Sequence, residues 1–289
     1  MTVSILSHSN CALGEGPSYD ARTNTLFWFD INTCNLHALN FTTSHETRQS
    51  LPFMASAMFS VDADRQLILS EQGLHVRARA TGALTLAMPV ETDNPLNRSN
   101  DARAHSCGAI WFGTMAKDEA ADAGKFYHYF KGKLTVLIDK AHIPNSICFS
   151  PDDTTAYYVD TPTHQLMRVA IDPLTALPVA KPELHYQHTG AGWIDGSVCD
   201  ADGNIWNARW GASEVACISP QGKVIETIAI PGSLQTSCPA FVGLNADRMA
   251  VTSASKNMRA TALKAAPQSG KTFLIDVPFK GRLEPDVLI

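Results

Sequence analysis

The stretch DADGNIWNAR, residues 200–209, joins a polar turn to a short run of apolar and aromatic residues. Similar runs recur along nearly the whole chain of 289 residues, most of them after a polar turn. The six runs are LFWFD from Leu26, LILSE from Leu67, IWFGT from Ile110, AYYVD from Ala156, IWNAR from Ile205 and MAVTS from Met249. β-Branched and aromatic residues bounded by Asp, Asn, Gly and Pro are typical of β-strands. The repeat therefore predicts an all-β chain of six similar units.

The spacing of the runs indicates how these units are arranged. Successive runs begin 41, 43, 46, 49 and 44 residues apart. A period in the forties with several short strands per unit is typical of β-propeller blades. We therefore expect a six-bladed β-propeller with four antiparallel strands in each blade. An all-β sandwich or a solenoid is the alternative, but six units suit a closed ring better.

A closed ring requires the two ends of the chain to meet. We expect the N-terminal strand, Val3–Leu6, to pair with Thr272–Val277 in the last blade. No linker and no change of composition interrupts residues 1–289, so the sequence predicts a single domain. The segment Lys117–Ala123 could form a helical turn within a loop.

Composition and charge exclude several classes of protein. Hydrophobic residues make up 45% of the chain, which is enough for a large core. The net charge of -5 leaves no basic surplus for binding nucleic acid. No apolar stretch approaches the roughly 20 residues of a membrane span, and the first residues lack the pattern of a signal peptide. Together with seven scattered cysteines and no CxxC pair, these features predict a cytoplasmic protein without nucleic-acid or membrane partners. A monomer is the default for a closed propeller.

Polar residues occupy one phase of the repeat. Ten or eleven residues before each run lies the start of the first strand of the unit, which is the strand nearest the central channel of a propeller. That phase holds Glu15, Ser56-Ala57, Asn100, Asn145, Asp195 and Cys238-Pro239. Equivalent positions converge at one end of the channel. We therefore expect the two carboxylates and two carboxamides among them to lie close together.

Two carboxylates and two carboxamides at one channel mouth predict a metal site. Like charges in a semi-buried site repel each other and lose hydration, and a bound cation relieves both penalties. The candidate ligands Glu15, Asn100, Asn145 and Asp195 are all oxygen donors, which suit a hard divalent ion. Three or four protein ligands leave positions for water and substrate. Any one of these residues alone could instead cap a strand end through an Asx-type turn.

The chain resembles the SMP-30, regucalcin and gluconolactonase family of sugar lactonases. The matching motifs are LGEGP (13–17), NRSND (97–101), WFGTM (111–115), PNSICFSPD (144–152), IDGSVCDADGNIW (194–206) and GRLEP (281–285). The resemblance implies a six-bladed propeller that binds one divalent metal ion (Ca, Zn, Mg, Mn or Fe). It implies Glu15, Asn145 and Asp195 as metal ligands. It also implies that Arg98 and Asn100 contact the substrate, with Asn100 near the metal.

This resemblance implies a gluconolactonase-like enzyme of carbohydrate metabolism, which hydrolyses a sugar lactone to the aldonic acid with a metal ion. In our mechanistic hypothesis, Asp195 accepts a proton from the attacking water as general base. Arg98 holds the sugar hydroxyls or the developing oxyanion. Two other functions stay open, a calcium-binding regucalcin-like protein without turnover and a phosphotriesterase-type metallohydrolase. The sugar and the metal are open as well.

The chain departs from the family pattern at several turns. Asn100-Asp101-Ala102 stands where many members have NDG, and Asn145-Ser146 stands where they have NG. The replaced glycines bear on the turn geometry rather than on the oxygen donors. We expect Asp101 to orient its loop, and the loop after Met115 often lines the substrate pocket in such families.

Overall fold

The computed structural model describes residues 2–289, which form an all-β fold with a propeller-like arrangement of sheets. These residues contain 24 β-strands, one α-helix at Ala260–Ala265 and one 3-10 turn at Thr161–Thr163. The first strand is β1 (Thr2–Ser7). No helix within this part of the chain is long and apolar enough to cross a membrane.

Four sheets each contain four consecutive antiparallel strands. Sheet 1 has β2 (Gly14–Asp20), β3 (Thr25–Asp30), β4 (Asn35–Asn40) and β5 (His45–Ser50). Sheet 2 has β6 (Ala55–Ser60), β7 (Arg65–Ser70), β8 (Gly73–Ala78) and β9 (Leu84–Pro89). Sheet 3 has β10 (Asn97–Ala104), β11 (Ile110–Ala116), β12 (Gly124–Phe130) and β13 (Lys133–Ala141). Sheet 4 has β14 (Pro144–Phe149), β15 (Thr155–Asp160), β16 (Gln165–Ala170) and β17 (Glu183–Gln187).

The fifth sheet has eight strands. Its further strands are β18 (Trp193–Cys199), β19 (Ile205–Trp210), β20 (Glu214–Ile218), β21 (Val224–Ala229), β22 (Gln235–Val242), β23 (Arg248–Ala254) and β24 (Thr272–Asp276). It consists of two four-stranded runs, β18-β19-β20-β21 and β22-β23-β24-β1. The pair Trp210–Gln235 joins the two runs. All six apolar runs of the sequence lie in the second strand of a four-stranded unit, as the repeat predicts.

The two ends of the chain meet in the second run of the fifth sheet. Strand β1 lies antiparallel to β24, with Val3 opposite Ile275. This confirms the predicted pairing of the chain ends. Residues 117–123, which could have formed a helical turn, form none. They are a loop in which Glu119 and Asp122 have φ angles of 62° and 57°. Such left-handed residues interrupt a right-handed helix.

The core lies between neighbouring sheets. Leu67 and Leu69 of sheet 2 pack with Ile110 and Phe112 of sheet 3, and all four side chains are fully buried. Alternate residues of each run point to opposite faces of the sheet, so one run contributes to two such layers. This packing explains why the runs are apolar at almost every position.

The first strand of each unit carries a β-bulge or register irregularity at the same phase. The shifts fall at Glu15/Ser18, Ala55/Ala57, Ser99/Ala102, Asn145/Cys148, Ile194/Ser197 and Thr236/Pro239. A bulge leaves a residue unpaired and bends the strand locally. The polar phase of the repeat therefore falls where the inner strands bend.

The C-terminal segment, residues 277–289, crosses the opposite end of the inner strands. It has no regular secondary structure. Its backbone N–H groups at Phe279, Val287 and Leu288 donate to Asp247 O, Ser60 O and Gly108 O at 3.0, 2.8 and 2.9 Å. Each acceptor lies at or just after the end of a first strand, whereas Glu15 and Asp195 lie near the beginnings. The segment therefore covers the end of the channel that faces away from the polar residues.

Candidate functional site

A cavity of about 570 Å³ opens at one end of the channel. Its lining includes all five residues that the sequence analysis selected: Glu15, Arg98, Asn100, Asn145 and Asp195. These residues come from four different inner strands, β2, β10, β14 and β18. The structure therefore brings together side chains that are up to 180 positions apart in the sequence. Their chemical roles stay predictions.

The other two inner strands place different groups at this phase. On β6, Ser56 Oγ donates to Ser99 Oγ at 2.8 Å, which ties sheet 2 to sheet 3. On β22, Cys238 Sγ accepts a hydrogen bond of 3.8 Å from Arg103 Nη2. Asn100, Asn145 and Asp195 therefore come from three neighbouring inner strands, whereas Glu15 lies between the strands that carry Ser56 and Cys238.

The two carboxamides and the guanidinium form a hydrogen-bonded chain. Arg98 Nη1 donates to Asn100 Oδ1 at 2.8 Å. Asn100 Nδ2 in turn donates to Asn145 Oδ1 at 2.8 Å and to Pro144 O at 2.9 Å. Asn145 Nδ2 donates to Thr161 Oγ1 at 2.9 Å. This chain orients both amides, and each amide oxygen keeps a second lone pair for another partner.

The two carboxylates are held in an environment that disfavours their charge. Burial raises the pKa of Glu15 to about 8, and the charge of Asp101 adds to this effect. Burial also raises the pKa of Asp195 well above its usual range, with Glu15 and Asp101 as further causes. The pKa of Arg98 is lowered by burial, an effect that the nearby Glu15 opposes. Two acids therefore share a site in which a positive charge would stabilise the ionised form of both.

This donor set fits a divalent cation. Glu15 Oε2 accepts from Gly16 N at 3.2 Å, and Asp195 accepts from the backbone of Gly196. Among residues 2–289, no side chain donates a hydrogen bond to either carboxylate, so their oxygens keep free lone pairs. That part of the chain also holds no cluster of three or more His, Cys, Asp or Glu side chains suited to a metal. A metal in this cavity would therefore use the amide oxygens as well as the two carboxylates.

One departure from the family pattern, Ser146, keeps the backbone conformation that a glycine would favour at that position. Ser146 adopts a φ of 59°, the left-handed region that favours glycine. Its hydroxyl is buried and hydrogen-bonds to Ser197 Oγ in the fifth sheet. Asp101 Oδ2 accepts from Ile147 N at 2.7 Å and so links the bulges of β10 and β14. This contact gives Asp101 a position that suits the orienting role expected from the sequence.

A loop at residues 117–123 crosses the rim of the cavity. Lys117 Nζ lies 2.5 Å from Glu71 Oε2 of sheet 2. Glu119 forms an ion pair with Lys256, which follows β23 on another side of the cavity. His142 Nε2 donates to Glu119 O at 2.7 Å. These contacts fix the loop to three other parts of the ring.

Asp118 and Glu119 of the loop after Met115 line the cavity, as expected, whereas other lining residues were missed by sequence reasoning. Among these are Thr161, Trp210 and Lys256, which lie at or after the ends of second strands. A second strand runs antiparallel to the first and returns to the same end of the channel. The first few positions after each apolar run were therefore the available signal.

Comparison with known proteins finds relatives over nearly the whole chain. A family model described as the SMP-30/Gluconolactonase/LRE-like region matches residues 13–255. A protein of Rhizobium meliloti (strain 1021) that carries the name of a sugar lactone lactonase is 47% identical over 97% of this chain and 95% of its own length. An L-arabinolactonase of Azospirillum brasilense is 31% identical over 96% of this chain and 92% of its own length. A crystal structure of a calcium-binding protein, regucalcin, from Agrobacterium tumefaciens strain C58 has a TM-score of 0.97 and 46% identity, covering 99% of this chain and 97% of that chain.

Proposed function

The chain belongs to the SMP-30/Gluconolactonase/LRE-like family, and from this premise we propose that it hydrolyses a sugar lactone to the aldonic acid with one divalent metal ion. The observation that carries the proposal is the cavity in which Glu15 and Asp195 lie with Arg98 and two oriented carboxamides. The lactonase names of the Rhizobium and Azospirillum relatives support this activity.

We infer that the two runs of the eight-stranded sheet are separate blades, so the propeller has six. The single pair Trp210–Gln235 that connects them supports this reading, because each run has the same four-stranded order as sheets 1–4. We also propose that residues 1–289 form one domain and act as a monomer. The pairing of β1 with β24, which joins the two ends of the chain, supports a single domain.

We assign Glu15, Asn145 and Asp195 as metal ligands, with Asn100 beside them. When bound, a divalent ion at such a site supplies polarisation of a carbonyl oxygen and lowers the pKa of a bound water. Oxygen donors suit Ca²⁺, Mg²⁺ and Mn²⁺, while Zn²⁺ and Fe²⁺ are further candidates. The calcium-binding description of the Agrobacterium structure supports Ca²⁺ among them.

Asp195 is the residue that we assign as general base. Asp195 lines the cavity, and within residues 2–289 no side chain donates to its carboxylate, which supports this role. It would accept a proton from the water that attacks the lactone carbonyl. The bond between the carbonyl carbon and the ring oxygen then breaks, and the ring oxygen takes a proton to become a hydroxyl group. The product is the open-chain aldonic acid.

Arg98 is the residue that we assign to the substrate. Its Nη1 donates to Ser99 O and Asn100 Oδ1, both at 2.8 Å, which fixes the plane of the guanidinium. Within residues 2–289, these are the acceptors that the guanidinium contacts, so its other N–H groups are available to the cavity. A fixed fork of donors suits sugar hydroxyls and the negative charge that develops on the carbonyl oxygen.

The test is hydrolysis of a panel of aldonolactones, followed by pH-stat titration. We expect activity that chelation removes and a divalent ion restores. Asp195→Ala and Glu15→Ala should each lose about a thousandfold or more in kcat, as loss of a principal catalytic group does. Glu226→Gln, a change at an exposed carboxylate outside the cavity, serves as the matched control.

The alternative functions predict different results in the same assay. Near-wild-type turnover by Asp195→Ala after chelation would contradict the proposal. Calcium binding without turnover of any lactone would indicate the non-catalytic protein. Turnover of phosphotriesters without turnover of lactones would indicate the phosphotriesterase-type enzyme.

A further inference from the structure

Trp193 stands at the rim of the cavity with 41% of its surface exposed. It begins strand β18, two residues before Asp195, and lies opposite Trp210 of β19. Both indoles line the cavity. A large aromatic side chain left in water forgoes the stabilisation that its burial would provide. Its place in the lining suggests that a ligand covers it.

The orientation of this indole is set by the protein. The ring of His164 stacks on Trp193 with centroids 4.4 Å apart and planes 22° apart. His164 is held in turn, because its carbonyl oxygen accepts from His188 N at 2.9 Å. One face of the indole is thus covered, and the exposed area belongs to the other face and the edge. A surface that is rigid before binding loses little entropy when a ligand settles on it.

The cavity is larger than a monosaccharide lactone requires. Pockets of about 300–1,000 Å³ hold drug-sized ligands, whereas a six-carbon lactone has only about a dozen non-hydrogen atoms. The volume of about 570 Å³ therefore leaves room beyond the lactone ring. The rim offers apolar surface at Pro162 and Trp193 and charged groups at Asp118, Glu119 and Lys256. A second sugar ring matches this mixture, because its C–H face packs on an aromatic ring while its hydroxyl groups bond to polar side chains.

The position of Trp193 along its strand fits this occupant. A β-strand rises about 3.3 Å per residue, so Trp193 lies roughly 6–7 Å along the strand from Asp195. This separation is comparable to the length of one sugar ring. A ring that stacks on Trp193 could therefore be joined directly to a lactone whose carbonyl lies at Asp195.

We propose that the substrate class of this cavity includes aldonolactones that carry a glycosyl substituent, with the glycosyl ring stacked on Trp193. This inference rests on the proposed lactonase function. Water still attacks the lactone carbonyl carbon, and the bond from that carbon to the ring oxygen breaks. The glycosidic bond is left intact, so the product is a glycosylated aldonic acid.

The test compares D-glucono-1,5-lactone with cellobiono-1,5-lactone, its glycosylated counterpart. The wild-type protein should open the disaccharide lactone with a kcat/KM at least equal to that for the monosaccharide lactone. Trp193→Ala should raise KM about tenfold for the disaccharide lactone and change both constants less than about twofold for the monosaccharide lactone. Trp193→Phe should restore most of the loss, because an aromatic face returns.

A binding measurement makes the result independent of turnover. Calorimetric titration with cellobionic acid, the opened product, should show about tenfold weaker binding to Trp193→Ala than to the wild type. His164→Ala should weaken binding in the same direction by a smaller factor, since it removes only the support of the indole.

Specific outcomes overturn the inference. The first is a wild-type kcat/KM for the disaccharide lactone that is at least tenfold lower than for the monosaccharide lactone. The second is an equal change in KM for both lactones in Trp193→Ala. A phenyl-substituted lactone that gains as much from Trp193 would show a general apolar surface instead of a sugar subsite. If neither sugar lactone is opened, the proposed function fails, and equal binding of cellobionic acid to wild type and Trp193→Ala would then reject the subsite separately.

Discussion

Asn100 Nδ2 donates a hydrogen bond of 2.8 Å to Asn145 Oδ1 and so joins the inner strands of sheets 3 and 4 at the floor of the cavity. The same amide accepts from Arg98, which makes Asn100 the link between the residue assigned to the substrate and one assigned to the metal. A residue in this position orients its neighbours on both sides. Several predictions about the site depend on this link and on the charges around it.

Replacement of Asn100 by Ala should weaken both functions of the site. The variant loses the donor that orients Asn145 and the acceptor that holds Arg98. We expect a divalent ion to bind about 10–100-fold more weakly, as for the loss of other groups that orient metal ligands. Calorimetric titration of the chelated protein measures this. The control is Asn35→Ala, which changes an amide that is bonded to exposed neighbours outside the cavity. Equal metal affinities of the two variants would refute the orienting role of Asn100.

Replacement of Arg98 by Ala should reduce substrate use without loss of the metal. The positive charge of the guanidinium offsets part of the repulsion between Glu15 and Asp195. Without Arg98, a bound cation relieves more of that repulsion. We expect kcat/KM to fall about a hundredfold or more while the metal affinity stays equal or increases. Arg98→Lys should recover little, because a single ammonium cannot reproduce a planar fork. Loss of metal binding in Arg98→Ala would contradict this assignment.

The stability of the metal-free protein should decrease as the pH rises from about 6.5 to about 8, a window above the ordinary pKa of the buried histidines, whose lowered pKa values act in the opposite direction at lower pH. Burial raises the pKa of Glu15 from 4.5 to about 8, so the folded state binds more protons than the unfolded chain within this window. The free energy of unfolding therefore falls as the pH rises, and the raised pKa of Asp195 acts in the same direction. Urea denaturation of chelated protein at several pH values measures the slope.

The variant Glu15→Gln should have a flatter pH dependence than the wild type, because it removes one of the buried acids whose pKa is raised. An exposed acid, changed in Glu183→Gln, serves as the control. Added divalent ion should also flatten the wild-type profile, since it stabilises the charged carboxylates. A metal-free protein that becomes more stable toward pH 8 would show that these acids do not control its stability.

Removal of Glu284 should destabilise the fold from the end of the channel opposite the cavity. Glu284 Oε1 lies 2.6 Å from Arg103 Nη1, and the two side chains are 24% and 9% exposed. Breaking a buried ion pair leaves one charge uncompensated and costs about 3–5 kcal/mol. Arg103 keeps an acceptor at Ser197 O, so we expect Glu284→Ala to lose a value near the lower end of this range. Urea denaturation measures this loss.

The matched control for Glu284 lies on the same C-terminal segment. Asp286 pairs with Arg22, and these side chains are 38% and 45% exposed. Exposed pairs contribute about 0–1 kcal/mol, so Asp286→Ala should have little effect. Equal losses from both variants would mean that the segment matters only through its backbone contacts.

Replacement of Lys256 by Met should loosen the loop at the cavity rim while leaving the fold intact. Lys256 is paired with Glu119, whose side chain is 45% exposed, so the pair contributes little to global stability. Hydrogen exchange at residues 117–123 should become about tenfold faster, while the unfolding midpoint changes little. The variant Lys117→Met, which removes the contact with Glu71, tests whether this second anchor acts alike. Unchanged exchange in Lys256→Met would show that the pair with Glu119 does not hold the loop.

Most of the fold could be predicted from the repeat of apolar runs. Each run supplies buried residues to both faces of a second strand, and this requirement leaves a continuous apolar signal in a local stretch of sequence. The polar phase was visible for a related reason. Equivalent positions of a repeated unit converge in a ring, so Glu15, Asn100, Asn145 and Asp195 could be grouped before any contact was known.

The residues that were not predicted lie in loops or contact residues that are far away in the sequence. Lys256 meets Glu119 across 137 residues, and Arg103 meets Glu284 across 181. The short helix at Ala260–Ala265 is exposed along most of its length and has no buried residue, so it lacks the apolar periodicity by which a helix is recognised. Loop conformations of this kind are set by contacts that no repeat encodes.

The sequence by itself determined the all-β units, the pairing of the chain ends and the set of polar residues at the channel mouth, because these follow from strand patterning and from the period of the repeat. The tertiary structure alone decided how those polar residues are linked, how strongly burial disfavours the charges of Glu15 and Asp195, and which side chains complete the rim. Hydrogen bonds of 2.8 Å, loss of hydration and the stacking of His164 on Trp193 depend on distances in space. Residues far apart in the chain acquire such distances only when the sheets pack around the channel.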